Sequence, residues 1–174
     1  ARCHVRSDEL EDYSGAMPRR PTPLPTSLTP SGFSIADAAA AGVSRRRLRH
    51  PSLGSPFTGV RTAGTTAADD VVARARALGC LLDGRHAVAG PTALALLGID
   101  QPPRFRRHTT IYVAVSDQRA RIRRPGVVTW VAHPYGTVTL VDGLRVTAPA
   151  TTFLHLARLL PLEELVMVGD AMTR

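Results

Sequence analysis

Apolar and polar positions follow two different periods along this chain. Before residue 109 the apolar side chains recur every three to four positions, the spacing of amphipathic helices. After residue 109 they alternate with polar ones, the spacing of half-buried strands, and beyond residue 148 the helical spacing returns. The sequence therefore predicts helices at 66–78, 91–97, 149–159 and 162–172, and strands at 110–115, 127–133, 138–141 and 144–147.

Two shorter helices are predicted between residues 33 and 50, FSIADAAAAGVSRRRLRH. Ser34 is a favourable N-cap, an alanine-rich run follows it, and Gly42 stands where helices commonly end in the left-handed conformation. Ser44 offers a second N-cap directly before an arginine cluster. Small residues, a glycine turn and a basic second helix are typical of a DNA-reading helix-turn-helix. A solvated helical hairpin is the alternative interpretation.

The next segment, 51–62, carries turn residues and then a short extended stretch that contains Arg61. A hairpin at this place corresponds to the wing of a winged helix-turn-helix, where Arg61 would meet a phosphate. The predicted fold class is α+β. It comprises an N-terminal winged helix-turn-helix at 33–62, followed by a small mixed α+β domain with an antiparallel sheet at 66–174.

Charge narrows the choice of partner. The formal net charge is +8, and all 22 basic residues are arginine. This balance favours an anionic partner, with double-stranded DNA first and a membrane surface second. No apolar run approaches the roughly 18–20 residues that span a bilayer, and residues 1–16 lack the apolar centre of a signal peptide. We therefore expect no membrane insertion and a cytoplasmic location.

The amino-terminal stretch is predicted to be a disordered arm over residues 1–32. Five prolines with serine and threonine lie between residues 18 and 31, a composition that buries too little apolar surface to order itself. Arg19 and Arg20 are candidates for minor-groove contacts, with a solvated tail as the alternative. Residues 1–16 are polar and without periodicity, so we expect translation to start at Met17.

The residues expected to contact duplex DNA lie in the second helix or the wing, and the helix arginines are expected to be exposed. They are Ser44, Arg45, Arg46, Arg47, Arg49 and Arg61. Two further basic clusters either extend the nucleic-acid footprint or keep the surface solvated: Arg104, Arg106, Arg107, Arg121, Arg123 and Arg124.

The chain offers no arrangement of residues typical of a catalytic or metal site. The carboxylates are scattered and fall at predicted caps and turns, whereas a metal-dependent nuclease needs two or three that converge. The histidines occur singly, which favours structural roles. Cys3 and Cys80 are too few for a zinc site or a disulfide framework. We therefore predict no catalytic residues, no metal and no cofactor.

Several segments together resemble a known family. FSIADAAAAGVSRRRLRH and PFTGVRT resemble the N-terminal winged-helix region of AbiEi-type antitoxins, which belong to type IV toxin–antitoxin systems. AVAGPTALALLGID, TTIYVAV and GLRVTAPATTFLHLARLLPLEELVMVGDAM resemble the region that follows it in a large bacterial group. The resemblance covers most of residues 33–172. It implies a transcriptional regulator that counteracts a toxin genetically rather than through a tight complex.

The resemblance also raises a second function. Members of the group often carry a very-short-patch-repair-like endonuclease domain further downstream, so this chain is alternatively the non-catalytic DNA-recognition region of such an enzyme. The group usually has an arginine where Thr151 stands here and an aspartate where His155 stands. The resemblance implies that the arginine and the aspartate form a buried contact that anchors a helix. Thr151 and His155 cannot form that charged contact.

Overall fold

Helices and strands both build this protein, which confirms the α+β class. The computed structural model describes residues 21–132 and 136–174. The helices there are α1 (Ile35–Ala40), α2 (Arg45–Leu48), α3 (Val71–Leu78), α4 (Gly90–Leu96), α5 (Pro149–Leu156) and α6 (Leu162–Met172). The strands are β1 (Phe33–Ser34), β2 (Leu53–Gly54), β3 (Val60–Ala63), β4 (His86–Val88), β5 (Ile111–Val115), β6 (Val127–Val131), β7 (Val138–Val141) and β8 (Leu144–Thr147).

The turn between α1 and α2 is fixed by backbone hydrogen bonds. Gly42 adopts φ +78°, its N–H donates to the Ala39 carbonyl at 3.0 Å, and the Val43 N–H donates to the Ala38 carbonyl at 2.9 Å. This pair of bonds is the Schellman motif, which satisfies carbonyls that the helix end leaves free. Ser44 is the N-cap of α2, as predicted, so the arginine cluster starts at the first residue of the helix.

A small three-stranded antiparallel sheet accompanies this helix pair, and β2 and β3 follow the helices while β1 precedes them. The order is β1-β3-β2, with Phe33 opposite Arg61 and Leu53 opposite Ala63. Beneath it lies an amino-terminal cluster of buried apolar side chains: Leu28, Phe33, Ala38, Leu48 and Leu53, with Leu24, Ala41 and Val43 against them.

The prediction of a disordered arm over residues 1–32 is wrong for residues 21–32. Leu28 is only 8% exposed and packs in the amino-terminal cluster with Leu24. The Pro30 carbonyl accepts a hydrogen bond from the Ala63 N–H at 2.9 Å, which ties the segment to β3. The two leucines bury enough surface to order a proline-rich segment. Residues 1–20, including Arg19, Arg20 and the expected start at Met17, lie outside the described residues.

The second unit contains a five-stranded sheet in the order β6-β5-β4-β8-β7. The β7–β8 hairpin is antiparallel, as predicted, and β4–β5 is antiparallel as well. β5–β6 and β4–β8 are parallel, so this sheet is mixed and not the antiparallel sheet that was expected. The reason is that β4, which the sequence pattern does not predict, inserts between β5 and β8. In addition, the connection 116–126 is long enough to return the chain for a parallel pairing, which takes roughly a dozen residues.

The two faces of this sheet pack against different partners. Alternate side chains of β5 (Ile111, Val113 and Val115) enter a central core with α3. Tyr112 and Ala114 point to the opposite face, and the register places Trp130 of β6 beside Ala114. The helices α4, α5 and α6 share a separate carboxyl-terminal cluster built on Leu94, Leu156, Leu160 and Val168.

Several predicted boundaries shift by a few residues. α3 begins at Val71 because Asp70, rather than Thr66, caps it by accepting from the Ala73 N–H at 2.8 Å. α5 ends at Leu156, three residues earlier than expected. β6 ends at Val131, and His133, which was predicted to extend it, is outside the described residues. No helix among the described residues is long and apolar enough to cross a membrane.

Candidate nucleic-acid interface

Three arginines face solvent at the second short helix, two of them inside α2 and the third at its C-cap. The Ser44 hydroxyl accepts from the Arg47 N–H at 3.2 Å and so caps α2, while Leu48 is buried and anchors the turn in the amino-terminal cluster. Arg45, Arg46 and Arg49 are exposed. None of the three side chains has a hydrogen-bond or ion-pair partner among the described residues. They are therefore available to an external anion.

Arg47 differs from these three, and the expectation that it is exposed is wrong. Its Nε donates to the Thr22 carbonyl at 2.7 Å and its Nη1 donates to the Ser52 hydroxyl at 3.0 Å. The side chain is half-buried and links the amino-terminal segment to the chain that enters β2. Arg47 points this way because Leu48 must face inward, which turns its neighbour toward Thr22. Its role in this fold is to hold the helix pair in place.

Replacing Arg47 with alanine should lower the free energy of unfolding by about 1 kcal/mol, since two hydrogen bonds across the amino-terminal unit are lost. Arg46→Ala is the matched control, because it removes the same charge from a side chain with no partner and should change stability by less than about 0.5 kcal/mol. Urea denaturation followed by circular dichroism measures both. Equal stability of the two variants would contradict the tether.

Arg61 also makes contacts inside the protein. Its Nε donates to the Leu48 carbonyl at 3.0 Å, at the end of α2, where a helix leaves carbonyls without partners. Its Nη1 donates to the Ser55 hydroxyl at 2.8 Å and to the Val60 carbonyl at 2.9 Å. The predicted phosphate contact would have to compete with these bonds. In the structure Arg61 joins the hairpin to α2.

The loop of the β2–β3 hairpin is held against the second unit rather than projecting freely. Phe57 is buried in the central core, and the Arg74 guanidinium lies 4.8 Å from its ring centroid. Arg124 donates from Nη1 to the Thr58 carbonyl. A wing that inserts into a DNA groove needs a free tip, so in this protein the loop serves first as the contact between the two units.

An arginine-lined cleft lies beside this loop. It encloses about 630 Å³ and its wall is formed by Thr58, Leu81, Arg121, Ile122, Arg123, Arg124 and Pro125. Arg121 and Arg123 are exposed and have no partner among the described residues, whereas Arg124 is fixed by Thr58. Two unpaired guanidinium groups in one cleft favour a phosphate-bearing ligand. The predicted cluster at 121–124 is therefore brought together with the hairpin.

The third predicted cluster is partly neutralised. Arg104 Nε lies 2.7 Å from Glu164 Oε2, and Arg106 Nε donates to the Gln101 carbonyl at 3.3 Å. Phe105, between them, packs in the carboxyl-terminal cluster. Only Arg107 of this group is exposed without a partner in the described part of the chain. This surface offers less to an external anion than α2 or the cleft does.

The ionisable side chains most shifted from their ordinary behaviour have local structural partners. Hydrogen bonds from the Arg85 side chain and backbone hold the pKa of Asp83 well below its usual range, and backbone N–H groups of Ala120 and Arg119 lower the pKa of Asp117. Burial raises the pKa of the Cys80 thiol to about 11, so it is protonated at neutral pH and a weak nucleophile. Asp83 also lies 2.7 Å from His86 Nδ1, a contact that joins the turn before β4 to the strand itself.

One grouping was missed by sequence reasoning altogether. On the sheet face that carries Tyr112, aromatic rings follow one another: the Tyr112 and Trp130 centroids are 5.4 Å apart, and those of Trp130 and His155 are 5.6 Å apart. A pocket of about 310 Å³ opens beside Trp130 and is bordered by Arg121 and Arg158. Residues of β6 and α5 meet there only through the sheet topology, so neither local pattern indicates a site.

Thr151 and His155 both contribute to the position of α5. The Thr151 hydroxyl accepts from the Thr137 N–H at 3.2 Å, which anchors the first turn of α5 to the chain before β7. His155 meets the Trp130 ring edge-on, at an interplanar angle of 82°. α5 is thus held by a hydrogen bond and an aromatic contact.

Comparison with models of known protein families and with curated proteins finds no match to this chain.

Proposed function

We propose that this protein is a DNA-binding transcriptional regulator of the antitoxin type, acting in the cytoplasm on double-stranded DNA. The observation that carries the proposal is a set of exposed arginines of α2 and its C-cap that have no partner among the described residues: Arg45, Arg46 and Arg49. The resemblance of residues 33–172 to AbiEi-type antitoxins supports it. In this proposal the toxin is counteracted genetically, without a tight complex.

The charge arrangement on α2 is costly without an anionic partner. Arg45 begins α2 and Arg49, four positions further on, is its C-cap, so the two charges lie on the same side of this turn, where like charges cost a few tenths of a kcal/mol. Arg46 adds a third positive charge beside them. Phosphate groups relieve this repulsion and release counterions on binding, which gives affinity for any sequence.

Sequence preference requires contacts to base edges in addition to phosphates. Arginine makes bidentate hydrogen bonds to guanine in the major groove, and the residues at the start of a recognition helix are those that reach the bases. α2 presents Arg45 and Arg46 at its start, held by the Ser44 cap. The arginine-lined cleft with Arg121 and Arg123 supplies further phosphate contacts in this proposal.

The experiment is a salt titration with a duplex from the upstream region of the gene and a scrambled duplex of the same composition. We expect the logarithm of the binding constant to fall steeply and linearly with the logarithm of salt concentration, with tighter binding to the native duplex. A steep dependence without preference would instead favour the recognition region of a nuclease. A flat dependence, or no binding at low salt, would overturn the proposal.

A further inference from the structure

The pocket beside Trp130 has the form of a ligand site that duplex binding by α2 does not use. It lies at the edge strand β6, between Thr129, Trp130, Val131 and Ala132 on one side and His155, Arg158 and Leu159 on the other. Its volume of about 310 Å³ is at the small end of the range of about 300–1,000 Å³ that is typical of small-molecule pockets. It accommodates one planar ring system with its substituents.

The indole ring of Trp130 is held in position by its neighbours. Tyr112 and His155 contact it at tilted and edge-on angles of 52° and 82°. The ring also packs closely against Gly90, which has φ +53°. A Cβ at that position would lie 2.5 Å from Trp130 Cη2. A ring that is already fixed loses little entropy when a planar ligand stacks on it.

Several polar groups around this ring have no partner within the described part of the chain. Arg121 and Arg158 are exposed and make no hydrogen bond or ion pair with the described residues, and the indole N–H of Trp130 has no acceptor among them. His155 Nδ1 is buried and has no hydrogen-bond partner within residues 21–132 and 136–174. Burial, and then the charge of Arg158, lowers the pKa of His155, so its ring is neutral at pH 7. The pocket thus combines two cations with a neutral imidazole.

These features together identify the class of ligand. An aromatic ring binds any of the nucleic-acid bases by stacking, and guanidinium groups bind phosphate oxygens. A metal ion would be repelled by the two arginines, and a purely apolar ligand would leave both without partners. A nucleotide satisfies the ring and both cations at once.

The neighbouring cleft indicates where the rest of the ligand would lie. Arg121 borders both the Trp130 pocket and the arginine-lined cleft, in which Arg123 is the next unpartnered guanidinium. A phosphate chain that leaves the pocket at Arg121 therefore continues along a basic surface. This continuity favours a nucleotide within a strand over a free one.

We propose that Trp130, His155, Arg121 and Arg158 form a binding site for an unpaired nucleotide of a single strand, with its base against Trp130 and its phosphates on the two arginines. The site does not depend on duplex recognition by α2. It provides this protein with a second mode of nucleic-acid binding, suited to a strand end or an extruded base.

The test uses Trp130 itself, because it is the only tryptophan of the chain. The full chain is titrated at low salt with a twelve-nucleotide oligothymidylate and, separately, with thymidine monophosphate. Stacking on the indole should give saturable quenching of its fluorescence by the oligonucleotide, at concentrations at least about tenfold below those needed for the mononucleotide, since the cleft adds phosphate contacts. Equal affinity for both would overturn the strand assignment in favour of a free nucleotide, and absence of quenching by either would overturn the site.

Paired variants separate this site from the duplex interface. Arg158→Gln should weaken oligothymidylate binding about fivefold or more and leave duplex binding unchanged. Arg45→Gln removes the same charge and should do the reverse. Because Arg158 is exposed and unpartnered, its replacement leaves the core intact. Oligothymidylate binding that is insensitive to Arg158→Gln, or equally sensitive to both variants, would overturn the proposed site while leaving the proposal for α2 to its own titration.

A third variant tests the stacking platform directly. Trp130→Leu should weaken binding of an end-labelled oligothymidylate about tenfold, as measured by fluorescence anisotropy, because stacking on an aromatic ring is lost. Circular dichroism establishes that the variant is folded. If it is not, Arg158→Gln decides the question alone. Unchanged binding by folded Trp130→Leu would contradict the stacking.

Discussion

Replacing Gly32 with alanine should lower the free energy of unfolding by about 3 kcal/mol, the upper end of the usual cost of overpacking. An added Cβ would lie 2.5 Å from both the Cα and the carbonyl oxygen of Ala77, in the last turn of α3. These are backbone atoms, and Ala77 is fully buried, so no side chain can rotate to make room. Relief requires the amino-terminal unit to separate from α3.

Gly84→Ala is the matched control for this variant. Gly84 has ordinary backbone angles, and a Cβ there would meet nothing within 4 Å. It should therefore change stability by less than about 0.5 kcal/mol. Thermal and urea denaturation of both variants, followed by circular dichroism, measure the difference. A Gly32→Ala variant as stable as Gly84→Ala would mean that the two units do not pack together as described.

The sequence predicted those elements whose signals are local. Ser34, Gly42 and Ser44 specify the ends of α1 and α2 through side-chain caps and a left-handed glycine, and the structure places the turn there. The Asp142-Gly143 pair likewise predicts the β7–β8 hairpin. Each of these signals acts within a few residues, so it can be read without knowledge of the fold.

The central strand of the larger sheet could not be predicted in this way. β4 is three residues long, His86–Val88, and all three are buried. A strand buried on both faces has no alternation of polar and apolar residues, and three positions are too few to establish any period. Its pairing with β8 connects residues far apart in the chain. The mixed sheet, and the pocket at its edge, follow from this unpredicted strand.

Arginine clusters in the sequence overstate the number of free positive charges. Several arginines find a carbonyl or a carboxylate in the folded protein, as Arg47 does with Thr22, Arg61 with Leu48 and Arg76 with Asp142. Whether an arginine is free depends on which groups the tertiary structure brings opposite it, which no local pattern contains. The candidate interface is therefore smaller than the composition suggests.

The largest expected effect on binding comes from replacing Arg45, Arg46 and Arg49 together with glutamine. Each lost phosphate contact should reduce the slope of log binding constant against log salt by about 0.9, or about 3 for the triple variant. Affinity for the native duplex should fall at least about 100-fold at moderate salt, because arginine contacts to bases are worth about 1–3 kcal/mol each. Stability should change little, since none of the three side chains has a partner among the described residues.

Replacing the same three arginines with lysine distinguishes the contribution of their charge to DNA affinity from their contribution to sequence preference. Lysine retains the positive charge but lacks the planar fork that bonds two acceptors of guanine, so the salt slope should be retained while the preference for the native over the scrambled duplex declines. Both triple variants are measured by fluorescence anisotropy over a range of salt concentrations. If the glutamine variant keeps the full salt slope, α2 does not contact phosphates. If the lysine variant keeps the full preference, the arginines of α2 position the protein on DNA, and base reading must come from other side chains.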